Sequence, residues 1–485
     1  MNRRELVCAA LLTLAPVTLA APAQVGAASK ATSSRPNILF CIADDWSWPH
    51  ASAYGDPVVK TPAFDRVARD GVLFTQAYCA SPSCTPSRAG ILTGQAIHRL
   101  REGANLHGFL PAAFPVYPDL LEGAEYRIGH CGKAWGPGDF RRGGRERNPA
   151  GPRFESFAAF LAEHASEPVK GKPFCFWLGS SDPHRPYTKG SGVAASMKLT
   201  DVRVPGFLPD TELVRSDILD YYVEVQRFDA LVGRALALLE ERGQLENTIV
   251  VVTSDNGMPF PRAKATLYDG GTRMPLAIMW KRRIEGSRRS RAFTSATDFA
   301  PTFLEAAGLP RPGSMTGRSL LPLLEKRDEV GSDASERQRV FLERERHAHV
   351  REDNVGYPAR AVRTEEFLLI WNLRPERWPS GDPEHVFSVG AFGDVDNSPT
   401  KSAMLENRDR FFELAFAKRP EFELYDLRND AAQTRNVIDD KDYIEQRKSL
   451  TATLEDWMRV TADPRVDGGD VFESYPYFGA RARKR

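Results

Sequence analysis

Asn37-Ile38-Leu39-Phe40-Cys41-Ile42-Ala43-Asp44-Asp45 decides the fold. The run is continuously apolar up to two acids, which describes a strand buried on both faces and charged at its carboxyl end. Such strands belong to parallel sheets covered by helices, where ligands gather outside the carboxyl ends. The pattern recurs three times: Tyr126 to Cys131 leads into Gly132-Lys133, Phe174 to Gly179 into Asp182-Pro183-His184-Arg185, and Thr248 to Thr253 into Asp255-Asn256. Between these runs, Phe64 to Phe74 reads as an amphipathic helix and turn, and Ser216 to Arg242 as a helix stopping at Gly243. Asp298 to Ala307 adds a helix and Arg339 to Leu342 a strand. From about Asp353 the chain changes to strand-like pieces, Ala361-Val362 and Phe367 to Trp371, followed by a helix from about Tyr443 to Val460. The expected fold is α/β. A large domain over 36–352, with a mainly parallel (mixed) central sheet sandwiched by helices, is joined to a smaller C-terminal domain over 353–485 with an antiparallel sheet and a helix.

The 485 residues, 42% hydrophobic and 27% charged, suffice for a large core and for two domains. A net charge of +1 gives no global attraction to nucleic acid or an anionic membrane, so any preference for anions is local. Residues 1–30 read as an export signal: Arg3-Arg4, an apolar stretch from Leu6 to Ala20, then Ala21-Pro22-Ala23 as a cleavage region. That stretch is short for a membrane span and no later segment qualifies, so an exported protein, periplasmic or secreted, is expected. Loss of the signal removes Cys8 and leaves Cys41, Cys79, Cys84, Cys131 and Cys175. Five is odd, so at least one thiol is unpaired or modified.

Polar groups at the four strand ends sort by chemistry into two sets. Asp44, Asp45, Asp255 and Asn256 are hard oxygen ligands suited to Ca²⁺ or Mg²⁺ rather than zinc. Taken singly, Asp44-Asp45 also fits a helix-capping pair and Asp255-Asn256-Gly257 a turn. Arg88, Lys133, His184 and Lys264 are donors suited to a tetrahedral anion. Cys84, in Cys84-Thr85-Pro86-Ser87-Arg88, precedes a helix expected to be capped by Thr85, opened by Pro86 and continued from Ser87 to Ile97. There it is either a buried structural thiol or a reactive group at the positive end of a helix dipole.

These residues carry a resemblance. Pro36 to Gly94 resembles the N-terminal region of the formylglycine-dependent sulfatases of the alkaline phosphatase superfamily, whose Cys-x-Pro-Ser-Arg signature is met by Cys84 to Arg88, with Leu92-Thr93-Gly94 following. Within that family the chain is most similar to the sulfamidases, the N-sulfoglucosamine sulfohydrolases. That similarity rests on Asp182 to Arg185, Thr253 to Pro261, Tyr357-Pro358-Ala359-Arg360 and Glu423-Leu424-Tyr425-Asp426. The resemblance implies an alkaline-phosphatase-like fold and a maturation enzyme that oxidises Cys84 to formylglycine, whose hydrate attacks sulfur and then releases sulfate. It also implies that Asp44, Asp45, Asp255, Asn256 and residue 84 hold Ca²⁺, that Arg88 and Lys133 anchor residue 84, and that His184 and Lys264 face the sulfate and leaving group. The substrate implied is a sulfate ester or sulfamate on a saccharide.

The chain departs from this pattern at Trp135, where the family usually has a His two residues after the Lys. His130 is the nearest substitute in sequence, and Trp135 itself is a candidate wall for a sugar ring. Sulfamidases carry Arg at the position of Lys264, which keeps the charge and loses the bidentate geometry. His107, His347, His349 and Arg360 are further candidates for substrate contact. Basic Arg141 to Arg147 and Ser287 to Arg291 read as solvated loops. A phosphoester or phosphonate hydrolase of the same superfamily fits the same donors, as does a sulfated-glycan-binding protein that has lost catalysis.

Overall fold

Residues 35–165, 171–325, 337–384 and 390–479 are described by a computed structural model. The expected export signal, with Cys8, lies outside the described residues. Strand β1 (Asn37–Ala43) is buried on both faces: Leu39, Cys41 and Ala43 enter one hydrophobic cluster, and Ile38, Phe40 and Ile42 another. It pairs in parallel with β5 (Phe174–Gly179) and β6 (Thr248–Ser254), and β5 pairs in parallel with β4 (Arg127–Cys131). With β2 (Val72–Phe74), β7 (Leu276–Met279) and β8 (Arg288–Ser290) these make seven strands in the order β4-β5-β1-β6-β7-β2-β8. The sheet is mixed, because β7 runs antiparallel to both β6 and β2. β3 (Ala77–Tyr78) and β9 (Thr294–Ser295) form a separate parallel pair.

Helices cover both faces. Glu212–Glu241 places Val214, Ile218, Val225 and Val232 in the cluster of Leu39. Phe299–Ala306 sets the rings of Phe299 and Phe303 at 5.4 and 5.8 Å from Phe40 on the other side. Three boundaries differ from expectation. The helix expected over Phe64 to Phe74 spans Pro62–Arg69, and Val72–Phe74 is a strand. A Cβ at Gly71 would run into the Ile278 carbonyl, so the chain there is fixed by β7 rather than by local periodicity. The long helix begins at Glu212, because the Thr211 side chain accepts from the Val214 N–H. The helix that carries Cys84 spans Cys84–Thr93, with Ser83 rather than Thr85 as the N-cap residue and left-handed Gly94 (φ 64°) ending it before Ile97.

The second sheet is antiparallel, β10 (Arg339–Arg344), β11 (Ala359–Thr364), β12 (Phe367–Asn372) and β13 (Phe422–Asp426) in that order. Val362, Leu369 and Leu424 face Leu454 and Met458 of the helix Ile444–Val460. Leu342, Ala361, Leu368 and Ile370 face the opposite way, onto Tyr78, Tyr268 and Phe293. This packing brings the connections of the second sheet towards the carboxyl edge of the first. No helix of the described residues is long and apolar enough to cross a membrane.

Candidate active site

Because β4, β5, β1 and β6 are neighbours running the same way, the four charged strand ends emerge side by side. They are also tied together: the Asp44 N–H donates to the Asp182 carbonyl at 3.0 Å and the Asp255 N–H to the Ala43 carbonyl at 3.3 Å. Gly132, with φ 65°, turns the chain out of β4, and a Cβ on it would strike the Gly179 carbonyl oxygen. That close approach delivers Lys133 to the common edge.

Cys84 is the first helical residue after Ser83, and its Sγ lies 3.5 Å from Asp44 Oδ1. Arg88, one turn on, is wholly buried; its Nε donates to Asp255 Oδ2 at 2.8 Å and its Nη1 to the carbonyls of Lys133 and Ala134 at 2.9 Å. Lys133 Nζ donates to Asp44 Oδ2 at 2.5 Å, and Lys264 Nζ to Asp45 Oδ2 at 2.7 Å. His184 Nε2 is 3.8 Å from Asp45 Oδ2. Its Nδ1 donates to the Arg185 carbonyl at 2.6 Å, which fixes the proton on Nδ1 and leaves Nε2 for the site.

Burial pushes the Cys84 thiol well up, outweighing the pull of the Lys133 ammonium, so the group is a neutral thiol. Burial also opposes ionisation of Asp44, yet Lys133 and Arg88 hold its carboxyl below the usual range. Against burial, Asp396 and Asp45 hold the Lys264 ammonium well above the ordinary lysine value.

Each acid has a cationic partner, so charge balance alone does not call for a metal ion. Asn256 does. Its Nδ2 donates to Asp45 Oδ1 at 2.6 Å and to the Gly257 carbonyl at 3.0 Å, whereas its buried Oδ1 has no hydrogen-bond partner among the described residues. A buried carbonyl oxygen is costly to leave unpaired. Asp44, Asp45 and Cys84 offer ligand atoms within 4.8 Å of one another. Carboxylates with one amide oxygen fit a hard divalent cation.

The sulfatase family model matches residues 36–309, more than half of the chain. The chain belongs to the sulfatase family. As a member it is a sulfuric ester hydrolase. A second model, for the C-terminal part of N-sulphoglucosamine sulphohydrolase, matches residues 262–382. Human N-sulphoglucosamine sulphohydrolase is 29% identical over 480 residues, covering 90% of this chain and 92% of that protein. An ulvan-active sulfatase of Formosa agariphila is 26% identical over 468 residues, covering 88% and 76%. In fold the chain is similar to a protein solved in complex with its substrate D-glucosamine-2-N,6-O-disulfate, with a TM-score of 0.65, 22% identity and coverage of 90% and 100%.

Around this centre the sulfatase places the other candidates unequally. Ser83 Oγ and His347 Nδ1 lie 2.8 Å apart, which sets His347 beside Cys84, and burial pushes its imidazole down to about 3. His107 is lowered to about 4 by burial and then by Lys133, so it is neutral and near the Lys133 charge. The rings of His107 and His349 both meet Tyr477, at 5.0 and 5.8 Å.

Three expectations are corrected. Arg360 is 0% exposed; its guanidinium is spent on Asp463 (2.5 and 3.1 Å) and Glu345 (2.8 Å), so it joins β11 to the C-terminal segment rather than facing an open pocket. Trp135 is 4% exposed and packs in the hydrophobic cluster of Leu110 and Trp177, not as an open wall for a sugar. His130 is no substitute for the missing family His, since its Nδ1 donates to the Gly151 carbonyl at 2.9 Å in a buried position. Of the basic run, Arg145 and Arg147 pair with Asp119, and Arg147 also with Glu122.

Sequence reasoning missed Asp396 and Tyr477. Asp396 Oδ2 accepts from Lys264 Nζ at 2.8 Å. Both residues arrive from the region of the second sheet, far along the chain, and neither sits in a motif that would single it out.

Proposed function

We propose that this sulfatase is exported and hydrolyses a sulfate ester or sulfamate on a saccharide of glycosaminoglycan or other sulfated polysaccharide type. In this reading a maturation enzyme converts Cys84 to formylglycine, and Asp44, Asp45, Asp255, Asn256 and residue 84 hold Ca²⁺, with Mg²⁺ the other ion the donors fit. The carrying observation is the setting of Cys84: its Sγ lies 3.5 Å from Asp44, among buried acids that are paired with Lys133, Arg88 and Lys264. The names of the human and Formosa relatives support a sulfated saccharide as substrate.

The cation, when bound, supplies positive charge that polarises the sulfate and the attacking group. The chain does the rest. Arg88 is fixed by Asp255 and two carbonyls, so it holds the start of the Cys84 helix against the strand ends. Lys133 and Lys264, already oriented by Asp44 and Asp45, are pre-placed cations for the sulfate oxygens and cost little reorganisation as charge develops. His184, held through its Nδ1–H, presents Nε2 to the leaving atom and, as the imidazolium protonated on both nitrogens, gives it the Nε2 proton as the bond to sulfur breaks.

Peptide mass analysis of protein from its native host, combined with a sulfate-release assay, tests this reading. The peptide containing residue 84 is expected to be lighter by the exchange of thiol for aldehyde, and sulfate is expected to be released. A persistent Cys84 thiol together with no sulfate release would falsify it.

A further inference from the structure

Lys264 donates to two carboxylates, Asp45 Oδ2 at 2.7 Å and Asp396 Oδ2 at 2.8 Å. Carboxylate oxygens of Asp45 and Asp396 and a ring nitrogen of His184 all lie within 4.8 Å of one another. The three acidic and basic partners differ in access. The side chain of Asp396 is 26% exposed, while Asp45 and Lys264 are closed off from solvent. Among the described residues, Asp396 Oδ1 accepts no hydrogen bond.

The segment carrying Asp396 is held on both sides. Asp394 is clamped by Arg344 and Arg351 at 2.7 and 2.8 Å and accepts from the Ala348 N–H at 3.1 Å. Lys401 Nζ donates to the Val395 carbonyl at 2.8 Å and to Asn397 Oδ1 at 3.2 Å. A fixed carboxylate with an open oxygen therefore stands beside His184, and both reach solvent while Lys264 lies beneath them.

A carboxylate repels sulfate oxygens, so Asp396 is not part of the anion cradle. It accepts N–H or O–H donors and pairs with cations. The bridging oxygen of a sulfate ester has only lone pairs to offer it, whereas the bridging nitrogen of a sulfamate carries a hydrogen. We propose that Asp396 is a specificity residue for an N-sulfated amino sugar, accepting the sulfamate N–H and then pairing with the ammonium of the product. The proposal rests on the sulfatase reading above, with His184 at the leaving atom and Lys264 at the sulfate oxygens. When the S–N bond breaks, its electron pair passes to nitrogen and sulfur passes to the attacking oxygen. Nitrogen takes one proton from His184 to become the amine and a second from solvent to become the ammonium. Asp396 supplies neither proton and changes no covalent bond.

The test compares mature wild-type protein and Asp396→Asn on N-sulfoglucosamine and on p-nitrophenyl sulfate, an ester without a nitrogen at the bridge. The ratio of the two kcat/KM values is expected to fall at least about tenfold in the variant, the scale of one hydrogen bond to a charged group. A purely structural role through Lys264 would lower both rates together and leave the ratio in place, which overturns the proposal. Wild-type protein gives a second readout that needs no folded variant. Glucosamine is expected to inhibit hydrolysis of the aryl ester at lower concentration than glucose, and equal inhibition overturns the proposal. Activity on the aryl ester without activity on N-sulfoglucosamine overturns it while leaving the sulfatase reading standing. Activity on neither overturns both.

Discussion

Lys133 shows how one residue serves the site through backbone and side chain separately. Its carbonyl accepts from Arg88 Nη1 at 2.9 Å and from Trp177 Nε1 at 3.1 Å, and its Nζ pairs with Asp44. Lys133→Ala removes only the ammonium, because those bonds and the turn at Gly132 still fix the chain. Sulfate release is expected to slow by on the order of 100- to 1000-fold with little change in melting temperature. Steady-state kinetics beside a thermal melt check this, and a loss of less than about threefold would place Lys133 outside the reaction. At this scale the sequence was legible wherever chemistry follows an apolar run directly: the acids, Lys133 and His184 each sit a few residues past a strand end. Arg360 was misread because its partners Glu345 and Asp463 are distant in sequence or hidden by register, and a guanidinium looks the same buried or free.

Between elements, the 3₁₀ segment Ile97–Ala104, which follows the Cys84 helix, is fastened to the second sheet by one carboxylate. Glu343 accepts from the Ile97 and His98 N–H groups at 2.9 and 3.0 Å and from His98 Nδ1 at 2.6 Å. His98 Nε2 faces the Thr461 carbonyl at 3.1 Å, which also accepts from Arg99, and Asp463 lies 3.8 Å from the ring. Both ring nitrogens face acceptors, so the imidazolium satisfies them and the neutral ring cannot. Burial works to lower the His98 value, as does the nearby Arg360, but Glu343 and Asp463 raise it above that of a free histidine. A raised folded value means the stabilisation is complete below the unfolded value of about 6.5 and is lost as pH rises through the folded one. His98→Gln is therefore expected to lower the melting temperature most below about pH 6.5, with the gap from wild type narrowing as pH rises above that. A gap that stays constant across that range would show that His98 acts by packing alone. The boundaries of such elements were the least legible part. Pro86 is tolerated anywhere in a first turn, so it did not distinguish Ser83 from Thr85 as the cap. β2 owes its existence to pairing with β7 some two hundred residues away, which no local periodicity records.

Over the whole molecule the charges nearly cancel, at +1, so the site owes its anion preference to arrangement rather than to net charge. The first sheet supplies the acids, Lys133 and His184, while the connections around the second bring His347 and Asp396 to the same edge. Neither sheet completes the site by itself. Asp44, Asp45 and Asp255 are buried together, and a coordinated cation would tie two strand ends, those of β1 and β6, and the Cys84 helix into one unit. An ion that binds only the folded chain stabilises it in proportion to the logarithm of one plus the ratio of its free concentration to Kd, about 2.7 kcal/mol at a hundredfold excess. Treatment with a chelator is accordingly expected to lower the melting temperature measurably, and excess Ca²⁺ to restore it. The same measurement on Asn256→Ala, which deletes the one unpaired buried ligand oxygen, is expected to show a smaller calcium-dependent shift. If the melting temperature ignores both chelator and calcium, the lysines and Arg88 alone neutralise the acids and the carboxylate cluster is not a metal site.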